Sequence, residues 1–217
     1  MIADQARRSA RTGGLTATLT TMHDTLAGGV LPCGPTGCCV LPEPTLRDAG
    51  RVWTGDTVAA LDPAAVERLG TVETADGRLA AVRYRGAADP AGAPAPWPEW
   101  MAALAGLRLG LSEALLDLTV AHLGDRRAGD TPLLLQQMIK GALADVVTEQ
   151  IEIKVRLTGT PPPAGSLAAL HRQITTADRM LLRLLGASGF VADGPGLAVN
   201  ASELLADAWI GGEGWTA

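Results

Sequence analysis

Past residue 99 the sequence changes character, and that change decides most of what the chain can fold into. Apolar side chains return at nearly every third or fourth position through residues 100–123, 133–157, 166–185 and 201–210, the spacing that gathers them on one side of a helix. Each long run has a stop. Gly124 with Asp125, Arg126 and Arg127 ends the first, Gly159 and the prolines at 161–163 end the second, and Gly186 and Gly189 end the third. Pro132 stands where a first-turn proline is tolerated. Only about eight residues separate the first two runs, which forces them to lie antiparallel as neighbours. Four helices joined in this way make a bundle. Hydrophobic residues form 47% of the chain and aromatic ones only 3%, so the core must come mainly from Ala, Leu and Val, as close-packed helices allow.

Upstream the pattern is broken. Residues 1–13 carry no clear period and are expected to be a frayed end or a poorly formed turn. Leu15, Leu19, Met22 and Leu26 recur at helical spacing before Gly28 and Gly29 stop the run, which predicts a short helix over 15–26. Pro32, Gly34, Pro35, Gly37, Pro42 and Pro44 leave room only for a brief strand over 38–41. Two more strands are expected at about 70–75 and 78–85, joined at Asp76-Gly77, a strong hairpin signal. Residues 87–98 hold Pro90, Pro94, Pro96 and Pro98 among alanines and read as a linker. The expected organisation is a reduced helical and β region over 1–98 and a helical bundle over 99–217.

A net charge of −5 without a basic block argues against nucleic acid, because neutralising phosphates takes clustered Lys and Arg. No apolar run reaches the length of a membrane span, and Asp4, Arg7 and Arg8 stand where a signal peptide would be apolar. Cys33, Cys38 and Cys39 are an odd number within seven residues, poor geometry for a disulfide framework. They and His23 also match no zinc-site spacing, so no metal is assigned. These observations together lead us to expect a cytoplasmic protein.

Residues 110–145 read GLSEALLDLTVAHLGDRRAGDTPLLLQQMIKGALAD. Without a gap, this resembles the signature of the acyl-CoA dehydrogenase C-terminal domain: Gly110-Leu111 on the first bundle helix, Arg126 at its end, Pro132 after the turn, then Gln137 and Leu143-Ala144-Asp145. Residues 183–190 resemble the family's Gln-x-x-Gly-Gly-x-Gly loop, and residues 205–214 its ending. Cys39-Val40-Leu41-Pro42-Glu43-Pro44 resembles the family's Leu-Thr-Glu-Pro strand. The fold that the resemblance implies is an antiparallel up-and-down four-helix bundle of the acyl-CoA dehydrogenase C-terminal type, preceded by a small reduced β region.

The same resemblance implies homotetramers that bind FAD between subunits. A glutamate takes a proton from the α carbon of an acyl thioester while hydride passes from the β carbon to the flavin. It places Arg126 at the FAD pyrophosphate, where a guanidinium recognises phosphate oxygens bidentately; as a plain residue Arg126 is a solvated helix-end cation. Leu133, Gln136 and Ile139 fall where the family lines the adenine side, or else serve the core. Arg183, Gly186 and Ala187 match the glycine loop. The base is Glu213 by the family's usual pattern or Glu99 by that of a subset; otherwise Glu213 belongs to a frayed tail and Glu99 stabilises a helix N-terminus.

The chain also departs from the family. The turn Ala128-Gly129-Asp130 lacks the aromatic and adds an acid, Arg183 stands for Gln and Ala187 for the second Gly, and Thr45-Leu46-Arg47-Asp48 replaces a Gly and Ser. About 98 residues stand in for two family domains. Two functions are therefore carried forward. One is a shortened flavoprotein or flavoprotein subunit acting on an acyl thioester, as a homo-oligomer or with a homologous chain. The other is a flavin-free member, either a structural or inactive subunit or a repurposed cyclase or isomerase.

Overall fold

The computed structural model describes residues 2–54, 57–86, 92–191 and 194–210. Among the described residues, seven α-helices run in chain order: α1 (Ile2–Gly13), α2 (Leu15–Leu26), α3 (Glu43–Asp48), α4 (Trp97–Asp125), α5 (Gln137–Arg156), α6 (Ala164–Leu185) and α7 (Gly196–Ile210). The strands are β1 (Val30–Pro32), β2 (Cys38–Pro42), β3 (Arg51–Thr54), β4 (Thr57–Ala60), β5 (Val66–Thr74), β6 (Gly77–Tyr84), β7 (Ala93–Pro94), β8 (Arg127–Ala128) and β9 (Thr131–Pro132). The described chain is mainly helical with small sheets.

Residues 2–13 are not frayed, which corrects the sequence reading; Met1 lies outside the described residues. Residues 2–13 form α1, whose buried face is Ala3, Ala6 and Ala10. Alanines carry little hydrophobic signal, yet their spacing is helical. Their small size lets α1 lie against α4 so closely that a Cβ on Gly106 would sit 2.1 Å from the Ala3 carbonyl oxygen, and one on Gly110 2.1 Å from that of Arg7. Arg7 grips both carboxylate oxygens of Glu113, at 3.0 and 2.8 Å, and Arg11 reaches Asp117 at 2.7 Å. Both numberings climb together, so the two helices run parallel.

The predicted helix over 15–26 matches α2 at both ends. In the β region β2, β6 and β5 form one antiparallel sheet, and β5 and β6 close at Thr74↔Gly77, where a hairpin was expected. Strands β1, β3, β4 and β7 form a second sheet in that order, with β1 and β3 parallel. Beside the brief strand of residues 31–50, the structure therefore has β1 and the helix α3. Of the linker read over 87–98, residues 87–91 lie outside the described residues, and the rest needs correction, because β7 pairs with β4 and α4 begins at Trp97 with Pro98 in its first turn.

Contacts fix how the later helices run. Buried Leu143 and Val146 of α5 share a cluster with Leu115 and Leu123 of α4, while Ile153 packs with Leu109, so α5 descends where α4 rises. His171 and Asp178 of α6 meet Arg108 and Ser112 in ascending order. On α7, Val199 joins Leu115, and Leu205 joins Trp100 and Leu104. One cluster draws Leu15, Leu19, Val40, Trp53, Trp100 and Leu205 together, so α2, the sheets, α4 and α7 share a core. Trp100 meets Trp53 edge to face with centroids 5.5 Å apart.

Candidate functional site

The turn after α4 carries the first group of family-matched residues. Arg126 caps α4, and its carbonyl accepts from Leu133 N at 2.8 Å. The β8–β9 hairpin sits between them, with Gly129 at its turn in the left-handed region, φ 62°. Leu133 lies in a 3-10 turn, and the second helix begins at Gln137, later than the sequence spacing predicts. Leu133 and Ile139 are half-buried against the cluster of Leu123, Leu143, Leu181 and Leu185, whereas Gln136 is exposed at the start of α5.

The second group closes α6. Gly186 has φ 58°, a conformation that favours glycine, and Ala187 beside it is exposed. Arg183 is exposed and lines a cavity of about 570 Å³ with Arg179, Leu182, Phe190, Leu197 and Glu203. Arg179 and Glu203 hold each other by two bonds of 3.0 and 2.8 Å across that groove. Leu123, three residues before Arg126, and Leu185, two after Arg183, lie in the same buried cluster. The ends of α4 and α6 therefore sit at one end of the helical layer. Among the described residues, neither the Arg126 nor the Arg183 side chain has a hydrogen-bond or ion-pair partner.

Of the two candidate bases, Glu99 is not brought to that end. Glu99 is exposed in the first turn of α4, and at 1.5 Å rise per residue it lies about 40 Å from Arg126. Glu213 falls outside the described residues.

A second polar group, which the sequence reading passed over, lies inside the helices. Arg108 is fully buried yet donates four hydrogen bonds: to Ser202 Oγ at 2.9 Å, to His171 Nδ1 and the His171 carbonyl at 3.0 Å each, and to Thr175 Oγ1 at 2.7 Å. His171 Nδ1 must then be the acceptor, which leaves Nε2 to donate to the Met101 carbonyl at 3.3 Å. Burial, reinforced by Arg108, holds His171 down at about 3, so the ring is neutral. Burial likewise lowers Arg108 to about 10, well above neutrality. Gln150 donates to Ser112 Oγ at 3.0 Å, and Ser112 faces Asp178. Burial pushes Asp178 up to about 7, against the opposing pull of Ser112 and Arg108. The signal available was Arg108 itself, a charge inside an otherwise apolar helical run.

Cys33, Cys38 and Cys39 are free and buried, and no group of three or more potential metal ligands occurs among the described residues. No helix among them is long and apolar enough to cross a membrane.

The fold resembles those of solved acyl-CoA dehydrogenases. The Tcur3481-Tcur3483 steroid ACAD, in a variant form, matches with a TM-score of 0.56 at 18% identity, over 94% of this chain and 68% of that one. The ChsE4-ChsE5 complex from Mycobacterium tuberculosis matches with 0.51 at 18% identity, over 82% and 56%. Acyl-CoA dehydrogenase from Geobacillus kaustophilus matches with 0.50 at 14% identity, over 70% and 48%. At these identities the likeness establishes an acyl-CoA dehydrogenase-like fold, and the chain spans between about half and two thirds of the length of those proteins. No protein-family model matches, and no curated protein matches.

Proposed function

We propose that this chain is a shortened acyl-CoA dehydrogenase-like flavoprotein subunit. It acts on an acyl thioester, in α,β-dehydrogenation or related proton and hydride chemistry, and is completed by a second copy or a homologous partner chain. In this reading residues 99–217 are the up-and-down bundle of the family's C-terminal type, and residues 1–98 are what remains of its other parts. The alternating directions of α4, α5, α6 and α7 support that reading.

One observation carries the cofactor assignment. Arg126 and Arg183 are exposed guanidiniums without a protein acceptor among the described residues, at helix ends that share one apolar cluster. Two such cations fit a pyrophosphate, whose oxygens a guanidinium fork can take in pairs. Leu133, Gln136 and Ile139 would flank the adenine, and the turn of Gly186 and Ala187 would bring backbone close. The surroundings of the flavin ring are less complete, because Thr45, Leu46, Arg47 and Asp48 belong to helix α3. The partner would supply that side. FAD, when bound, provides the redox chemistry; this chain's part is to hold its phosphate end.

The separation of Glu99 from Arg126 accords with sharing between subunits, since one chain would lend its cations to one flavin and a glutamate, Glu99 or Glu213, to another. Two of the matched structures carry paired names, Tcur3481-Tcur3483 and the ChsE4-ChsE5 complex, in keeping with a heteromeric partner. The second reading, a flavin-free structural or inactive subunit or a repurposed cyclase or isomerase, is favoured by Asp130 in the turn beside Arg126 and Arg127.

A visible absorption spectrum separates the two. Purified alone or co-expressed with a homologous chain, the protein should carry a flavin band at up to one FAD per chain. Colourless protein that cannot be reconstituted in either setting removes the first reading in favour of the second.

A further inference from the structure

Between α4, α6 and α7 lies a second, smaller cavity of about 160 Å³. Its walls are Leu111, Ala114, Leu115, Leu118, Pro195, Ala198 and Val199, and its polar side chains are Asp178 and Ser202. Both polar residues are 1% exposed. Among the described residues Asp178 Oδ1 has no hydrogen-bond partner, which is costly for a buried carboxyl oxygen unless something fills the role. Apolar cavities of about 150 Å³ hold a molecule the size of benzene.

The two polar groups differ in what they still offer. Ser202 Oγ already accepts from Arg108 Nε at 2.9 Å, so its own hydrogen is free to donate. Asp178 Oδ1 is free to accept. A hydroxyl can donate to one and accept from the other with a single atom. An ammonium would satisfy only Asp178 and would stand close to the buried Arg108 charge, while a bare hydrocarbon would leave Oδ1 unpaired.

We propose that this cavity binds a small, mainly hydrocarbon molecule of about six to eight heavy atoms that carries one hydroxyl group, the ligand O–H donating to Asp178 and its oxygen accepting from Ser202. The site is separate from the helix-end cations, and its occupant need not be a thioester or a flavin. Leu118, half-exposed at 46%, provides the way in.

Phenol is the probe, with benzene and benzylamine as matched comparisons, titrated into the full wild-type chain by calorimetry. Phenol should bind saturably at one per chain and at least tenfold more tightly than benzene, with benzylamine no tighter than benzene. Nuclear Overhauser contacts should connect the phenol ring to Leu115 and Val199 methyls, which locates the site without any substitution. Ala198→Phe should abolish the binding by filling the cavity. Equal affinity for benzene, preference for benzylamine, contacts elsewhere on the protein, or no saturable binding would each overturn the proposal.

Discussion

Arg108 holds His171 by two atoms of one residue: Nη1 donates both to the ring Nδ1 and to the main-chain oxygen, each at 3.0 Å. The same guanidinium ties α4 to α7 through Ser202. A side chain in such a position fixes how three helices meet, because its loss leaves several buried polar atoms without partners at once.

Arg108→Met should therefore cost about 1–3 kcal/mol of unfolding free energy, because neutral buried acceptors lose their donor. Arg108→Lys should recover little of it, since an ammonium cannot span the positions that the fork reaches. Urea unfolding followed by far-UV circular dichroism reads both values. A loss below about 1 kcal/mol for the Met variant would mean that the network contributes little to stability.

Asp178 and His171 should make stability depend on pH in opposite senses. Burial raises Asp178 from 3.8 to about 7, so folding favours its neutral form, and that contribution is present at low pH and lost as pH rises through 7. His171 falls from 6.5 to about 3, so folding favours its neutral form too, and that contribution is present above 6.5 and lost as pH falls toward 3. Between about pH 4 and 6.5 the slopes oppose each other at roughly 1.4 kcal/mol per pH unit apiece and largely cancel. Asp178→Asn should unmask stability that rises with pH across that window, and His171→Gln stability that falls. Unfolding curves at three pH values within it test the pair; the same slope in both variants would contradict the assignment.

The α1–α4 contact predicts a reversal of the usual glycine rule. In an open helix Gly→Ala is favourable by about 0.8–1 kcal/mol, and Gly141 in α5, with nothing within 4 Å of a new Cβ, should follow it. Gly106→Ala and Gly110→Ala should instead destabilise by roughly 1–3 kcal/mol, because each Cβ would strike a backbone oxygen of α1. Thermal melts of the three variants give the comparison directly. A stabilised Gly110→Ala would mean that α1 does not lie against α4 as described.

Cys33 and Cys39 should be inert to thiol reagents in the folded protein. Burial raises Cys33 to about 12 and drives Cys39 upward as well, so little thiolate exists at neutral pH. Reaction with a disulfide reagent at pH 8 should be slow in buffer and rapid in denaturant. Rapid labelling of native protein would show that this part of the core opens.

What the sequence displayed best were features with strong local signals. The apolar period and glycine stops of α2 located both its ends, and the Asp76-Gly77 turn located the hairpin of β5 and β6. Helix α1 was hidden because its buried face is alanine and its partner surface is two glycines a hundred residues away. Strands β1, β3 and β4 are three or four residues long and are fixed by pairing between distant segments, which leaves little local pattern. Of the candidate site, the helix-end residues were legible through spacing on a resemblance. The interior group of Arg108, His171 and Asp178 was not, since it exists only once α4 and α6 are laid side by side.

The central claim, that the Arg126 end of the helical layer receives the phosphates of a flavin nucleotide, is tested most directly by titrating FAD into the protein, with its co-expressed partner where one is needed, and following flavin fluorescence. Wild type should saturate at no more than one FAD per chain, and Arg126→Met should bind at least tenfold more weakly with an unchanged melting temperature, because the exposed side chain holds nothing else among the described residues. No saturable binding by wild type, or equal affinity in the variant, would contradict it.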